Sequence, residues 1–255
     1  MRSICSLFSG LKITARRSFY KGKSANHRLL AEYGPLRKIM STPDSASKPP
    51  HDALTPVTAA LVEFLAEARV PTEHGSFTMK LFREKATGLE HVAMVMGEVA
   101  GSALVRVHSE CMTGDVFGSL RCDCGPQLHF AMNEIGKKGS GVVVYLRQEG
   151  RGIGLANKLR AYQLQDQGMD TVEANQHLGF AADLRNFDVA AQILDYLGVS
   201  SVKLMTNNPR KVDTLSAHGV RIEERVPVRS DVQPENERYL GTKARKLGHH
   251  IDWLG

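Results

Sequence analysis

RVHSECMTGDVFGSLRCDCGPQ, residues 106–127, holds three of the four cysteines of the chain, Cys111, Cys122 and Cys124, and the reading of the fold works outward from it. Cys122 and Cys124 are two apart, so in an extended segment their sulfurs point the same way. A ten-residue loop carrying Gly114, Asp115 and Gly118 lets Cys111 return as a third corner. Gly125 and Pro126 follow at once, a cap and first-turn signal for a helix running to about Ile135. The pair therefore sits near a helix N-terminus, whose partial positive charge favours thiolate over thiol. Three thiolates with one open position are the donor set of a catalytic zinc. Two other readings stay open on spacing: a structural zinc closed by His108, and cysteines packed as small apolar residues.

Upstream, a short helix is expected from Ala59 to Ala68, then a hairpin in VPTEHGSFTMKLFRE around Gly75. HVAMVMGEV (91–99) and ALVRVHS (103–109) read as strands, which deliver Arg106 and His108 to the cysteines. Downstream the pattern alternates. GVVVYLR (141–147) is a β-branched run of a buried central strand. QEGRGIG and a helix ending at Gly168 follow, a strand, glycine-rich turn and helix whose exposed N–H groups suit an anion. The same turn also reads as a plain βα connection. Residues 171–198 start irregular and become helical from about Asn186. SVKLMT (201–206) is another buried strand, and Asn208-Pro209 caps a helix reaching Gly219. Arg210 and Lys211 lie in its first turn, where cations make sense beside a bound anion. VRIEERVPV (220–228) is the last strand, and residues 235–248 read as a basic helix. The expected class is α/β: a mixed sheet with flanking helices, a β-rich N-terminal half carrying the zinc site and a βα-alternating C-terminal half.

The 255 residues, 42% hydrophobic and 24% charged, describe an ordinary globular protein, and no apolar run approaches the ~20 residues of a membrane span. Clustered cysteines point to a reducing compartment, and a net charge of +6 suits a polyanion, nucleotide or nucleic acid. The first acid is Glu32, so residues 1–31 fit an organellar transit peptide, a disordered basic arm, or a chain truly starting at Met40. Residues 41–56 form a Pro/Ser linker. The expected organisation is arm and linker over 1–56, a catalytic domain over 57–250 and a tail over 251–255.

RVHSEC, GSLRCDCG, RQEGRGIGL, ANQHLGFAADLR and MTNNPRKV, in this order and spacing, resemble GTP cyclohydrolase II, over about residues 61–250. The resemblance implies hydrolysis of GTP to formate, pyrophosphate and 2,5-diamino-6-(5-phosphoribosylamino)pyrimidin-4-one, the first committed step of riboflavin biosynthesis. It implies one zinc per chain on Cys111, Cys122 and Cys124, and magnesium with the GTP phosphates. Arg106, Val107, His108, Ser109, Glu110, Gln127, Glu149, Gly150, Arg151, Thr171, Thr206 and Lys211 match its GTP-contacting positions. Asp183 and Arg185 match its proton acceptor and nucleophile, and Tyr162 a tyrosine near the reacting ring; on periodicity alone Tyr162 reads instead as a core aromatic. A guanidinium has no lone pair to attack with, so Arg185 reads better as an arginine finger on the α-phosphate. The resemblance further implies a homodimer; no nucleic acid or membrane partner is expected, and the expected location is cytoplasmic, with import into an organelle if residues 1–40 are a transit peptide. The rival class is a zinc-stabilised basic module that binds nucleotide or RNA without turnover. Glu110, Glu149 and Asp183 are misplaced for such a phosphate-tracking groove.

Overall fold

The computed structural model describes residues 60–253; the arm and linker expected over 1–56 lie outside them. The chain begins with an antiparallel meander of β1 (Val62–Thr72), β2 (Gly75–Glu84) and β3 (Glu90–Met96). β4 (Gly101–Ser109) leads into a single helical turn, α1 (Met112–Asp115), and then α2 (Cys124–Lys138) and β5 (Gly141–Leu146). A 3-10 turn (Glu149–Gly152) precedes α3 (Gly154–Asp166), α4 (Thr171–His177) and α5 (Asp188–Tyr196). β6 (Val199–Met205), α6 (Pro209–Ala217), β7 (Arg221–Val226) and α7 (Pro234–Leu247) complete it.

All seven strands form one mixed sheet in the order β1-β2-β3-β5-β4-β6-β7. β4, β5, β6 and β7 run parallel, while β3 joins β5 antiparallel. The alternation along β4 assigns its faces: Ala103, Val105 and Val107 pack with Val189, Ile193 and Leu194 of α5, and Leu104 packs with Ala131 and Ile135 of α2. The connection from β4 to β5 moves to one side of β4 and that from β5 to β6 to the other, with helices on opposite faces. Such a reversal leaves a crevice beyond the carboxyl ends of the strands, where α/β sheets hold their ligands.

The α/β class and most elements agree with the sequence, with two corrections. Residues 62–68 are strand, not the helix expected from Ala59 to Ala68. There, ladder pairing with β2 and the packing of Phe64 on Phe82 (centroids 5.7 Å apart) and Tyr196 (5.5 Å) override the helix-forming Ala and Glu. Residues 171–177 are helical rather than irregular. Asp170 caps α4 by accepting from the amides of Val172 and Glu173, and Glu173 returns a bond to the Asp170 amide.

Candidate active site

The loops leaving β4, β5 and β6 meet in one cleft, with about 970 Å³ of empty space. β4 ends in His108 and Ser109, β5 runs into Gln148 and Glu149, and β6 ends at Thr206 and Asn207; all six line the cleft. α2 supplies Cys124 and Gln127, α3 Lys158 and Tyr162, α4 Thr171, and α7 Tyr239 and Lys243. Sixteen of the residues matched from sequence therefore meet here. Val107 and Asp183 do not line it. Val107 is fully buried in the core and offers only its carbonyl, which accepts from Lys211 Nζ at 2.7 Å. Asp183 stands behind Arg185, accepting from its Nε at 2.9 Å and its Nη2 at 2.7 Å.

The three cysteines form one corner. Their sulfurs lie within 4.8 Å of one another, and Cys111 Sγ is 3.7 Å from Cys122 Sγ. Zinc–sulfur bonds of about 2.3 Å put tetrahedral ligand sulfurs about 3.8 Å apart, a separation that the Cys111–Cys122 pair matches. Gly114 makes it possible: a Cβ there would lie 2.8 Å from Cys122 Sγ and 3.3 Å from Cys111 Sγ. His108 lies outside the donor cluster. Its Nε2 faces Asp115 Oδ1 at 3.1 Å, its ring stacks on Tyr145, and Asp115 also accepts from the Tyr145 hydroxyl and the Cys111 amide. Burial drives the His108 pKa down, against the pull of Asp115.

Lys158, which sequence reading passed over, is buried and makes three contacts: Cys111 Sγ at 3.1 Å, Thr113 Oγ1 at 2.9 Å and Glu149 Oε1 at 2.8 Å. Burial would lower its pKa, but the bond to Glu149 and the charge of Cys111 raise it. The Cys111 thiol is pushed strongly down, to thiolate, by hydrogen bonds from Cys122 and Cys124 and by the charge of Lys158. The signal available in sequence was spacing, since Lys158 precedes Tyr162 by one helical turn. Tyr162 is half-buried, its hydroxyl 3.4 Å from Thr113 Oγ1, under the Arg121 guanidinium at 4.5 Å.

The rest of the cleft is cationic. Arg106 is buried, donating to Met205 O at 3.0 Å and Gln127 Oε1 at 2.6 Å, and burial lowers its pKa to about 10. Lys211 is pushed well down by burial and by the charges of Arg106, Arg185 and Lys243. Burial alone would raise Asp183; the bonds and charge of Arg185, with Arg210, outweigh it and bring it to about 2. Arg106 Nε and Arg151 Nη1 are buried with no partner, as is Gln148 Oε1. Arg151 holds φ 62 between Gly150 (φ 63) and Gly152 (φ 92), a left-handed backbone rare for a side-chain-bearing residue. Crowded cations with unpaired N–H groups are the chemistry of a polyanion site.

Comparison with known proteins agrees with this chemistry. The family model for GTP cyclohydrolase II matches residues 63–227. Among relatives, the riboflavin biosynthesis protein RibBA of Bacillus subtilis is 57% identical over 192 residues, 74% of this chain and 48% of that protein. GTP cyclohydrolase-2 of Azotobacter vinelandii is 55% identical over 195 residues, covering 76% of this chain and 94% of the relative. That of Pseudomonas fluorescens is 56% identical over 190 residues, covering 74% and 93%. The chain thus spans about half of the first relative and nearly all of the other two. A family model spanning residues 63–227, with relatives more than half identical over most of their length, makes this chain a member of the GTP cyclohydrolase II family.

Proposed function

We propose that this chain hydrolyses GTP to formate, pyrophosphate and 2,5-diamino-6-(5-phosphoribosylamino)pyrimidin-4-one, opening riboflavin biosynthesis in the cytoplasm. The observation that carries the reading is the placement of a three-cysteine corner and a cation-lined wall in one cleft. The three-sulfur donor set and its 3.7 Å spacing support zinc on Cys111, Cys122 and Cys124. When bound there, zinc supplies the Lewis acid that activates water for opening the imidazole ring.

This chain's own residues do the remaining work. Arg106, Arg151 and Lys211 hold the triphosphate, whose charge a magnesium ion would help to neutralise. Glu149 reads the guanine N–H edge. It already accepts from Lys158 Nζ, the Gly150 amide and the Met112 amide, so one lone-pair position remains for the base. Tyr162 places its hydroxyl toward the cysteine corner, where it can hand a proton to the opening ring. Arg185, aimed by Asp183, stabilises charge at the α-phosphate. A carboxylate so firmly paired is a weak base, so Asp183 serves chiefly to orient Arg185. Met112, Val116, Phe117 and Leu120, exposed in one segment beside the cysteines, support a homodimer. Assaying formate, pyrophosphate and pyrimidine separately after incubation with GTP tests the proposal; binding without any product would return the chain to the nucleotide-holding module.

A further inference from the structure

The hairpin turn between β1 and β2 meets His129 of α2 in a second cluster of donors, which shares no residue with the cysteine corner. His74 Nε2 lies 3.3 Å from His129 Nδ1. Glu73 Oε1 lies 3.5 Å from the first of these atoms and 3.7 Å from the second. The three atoms thus form a triangle with two nitrogens and one oxygen at its corners. Bonds of about 2.0–2.2 Å put tetrahedral ligands about 3.3–3.6 Å apart, whereas octahedral neighbours stand about 2.8–3.1 Å apart. Two of the three edges fall within the tetrahedral range, the 3.7 Å edge lies just beyond it, and all three exceed the octahedral spacing.

The triangle is held in place by backbone as well as side chains. The His74 amide donates to Thr72 Oγ1 at 3.1 Å, and that hydroxyl donates to Gly75 O at 2.9 Å, which fixes the turn. The turn rests directly on α2, because a Cβ at Gly136 would collide with the His74 carbonyl. His129 rises from the same helix, and its ring stands at 66° to that of His74. Beyond the two rings a shallow hollow is lined by Asn133, Arg229, Ser230 and Asp231.

We propose that Glu73, His74 and His129 form a second metal site, for a tetrahedral divalent ion of borderline softness, with zinc the best fit. It clasps the β1–β2 hairpin to α2 and takes no part in GTP chemistry. The proposal does not depend on the reading of the cysteine cleft.

Tag-free, full-length protein stripped of metal is titrated with Zn2+ by calorimetry and with Co2+ by absorption. Wild type should take two equivalents, with sulfur-to-cobalt charge transfer arising from one of them. His74→Ala and His129→Ala should each lose the same single equivalent, keep the charge-transfer band and keep formate release; Glu73→Gln should weaken that equivalent. A wild type that binds no second ion, or a second ion that survives both histidine substitutions, overturns the proposal. If the cysteines bind nothing, the hairpin equivalent is still counted alone, so the two assignments fail separately.

Discussion

Lys158 Nζ touches Cys111 Sγ at 3.1 Å while holding Glu149 Oε1 at 2.8 Å, so one buried cation ties the cysteine corner to the wall proposed to read the base. Three thiolates around a divalent ion leave a net negative charge, which makes bound water less acidic than three imidazoles would. Lys158 offsets that charge. Lys158→Met should therefore shift the alkaline-side requirement for formate release to higher pH and weaken zinc retention against a chelator. Lys158→Arg should recover part of both. An unchanged pH profile together with unchanged zinc retention would show that Lys158 is only a core prop.

Gly114 gives the cysteines their room. Gly114→Ala introduces a Cβ 2.8 Å from Cys122 Sγ, so zinc content should fall sharply while the sheet keeps its thermal stability to within about 1 kcal/mol. Cys122→Ser should do the same to the metal and abolish ring opening. X-ray absorption on the His129→Ala protein should find sulfur and no histidine nitrogen, since His108 is committed to Asp115.

Tyr162 can be separated from its packing. Tyr162→Phe keeps the ring beneath Arg121 and removes only the hydroxyl that approaches Thr113. Formate release should fall by roughly 10²-fold or more, with GTP affinity and melting temperature near native. A loss of only a few-fold would mark Tyr162 as a core aromatic.

Arg185→Lys tests the arginine finger. Lysine keeps the charge but loses the fork that Asp183 holds at two points. Partial pyrophosphate release with no trapped phosphoryl-enzyme is the expected result; a nucleotidyl adduct on wild-type Arg185 would sink it.

Lys211 predicts a proton balance. Its folded pKa is lowered by burial and by neighbouring cations, and a triphosphate raises it again. Where free Lys211 is neutral, GTP must bring a proton in, so affinity should rise as pH falls through that range. Calorimetry in buffers of different ionisation enthalpy should show proton uptake that Lys211→Met abolishes. Buffer-independent enthalpies in the wild type would refute it.

Much of this site was legible in the sequence because its residues sit at strand ends and caps, which have local signals. Asn208 accepts from the Arg210 amide and Pro209 opens α6, as the dipeptide implied. The α4 helix was equally signalled by Asp170 and Glu173, a capping box that went unread. β1 was different: its Ala- and Glu-rich letters favour helix, and only Phe82 and Tyr196, distant in sequence, make it strand. Lys158 and Asp115 carry no motif, because their importance comes from what the fold brings to them.

Contacts that close the cleft span long stretches of chain: Arg106 to Met205, Val107 to Lys211, Asp123 to Lys243. Such pairings form late, since each must pay loop-closure entropy before it returns any stabilisation. During synthesis the cysteine loop emerges more than a hundred residues ahead of α7, which means a ribosome-bound fragment holds the three thiols but lacks the helix that supplies Tyr239 and Lys243 to the cleft. On the proposed function, GTP binding therefore awaits docking of the last helix, and C-terminal truncations as far as Lys243 should fold in part yet bind no substrate.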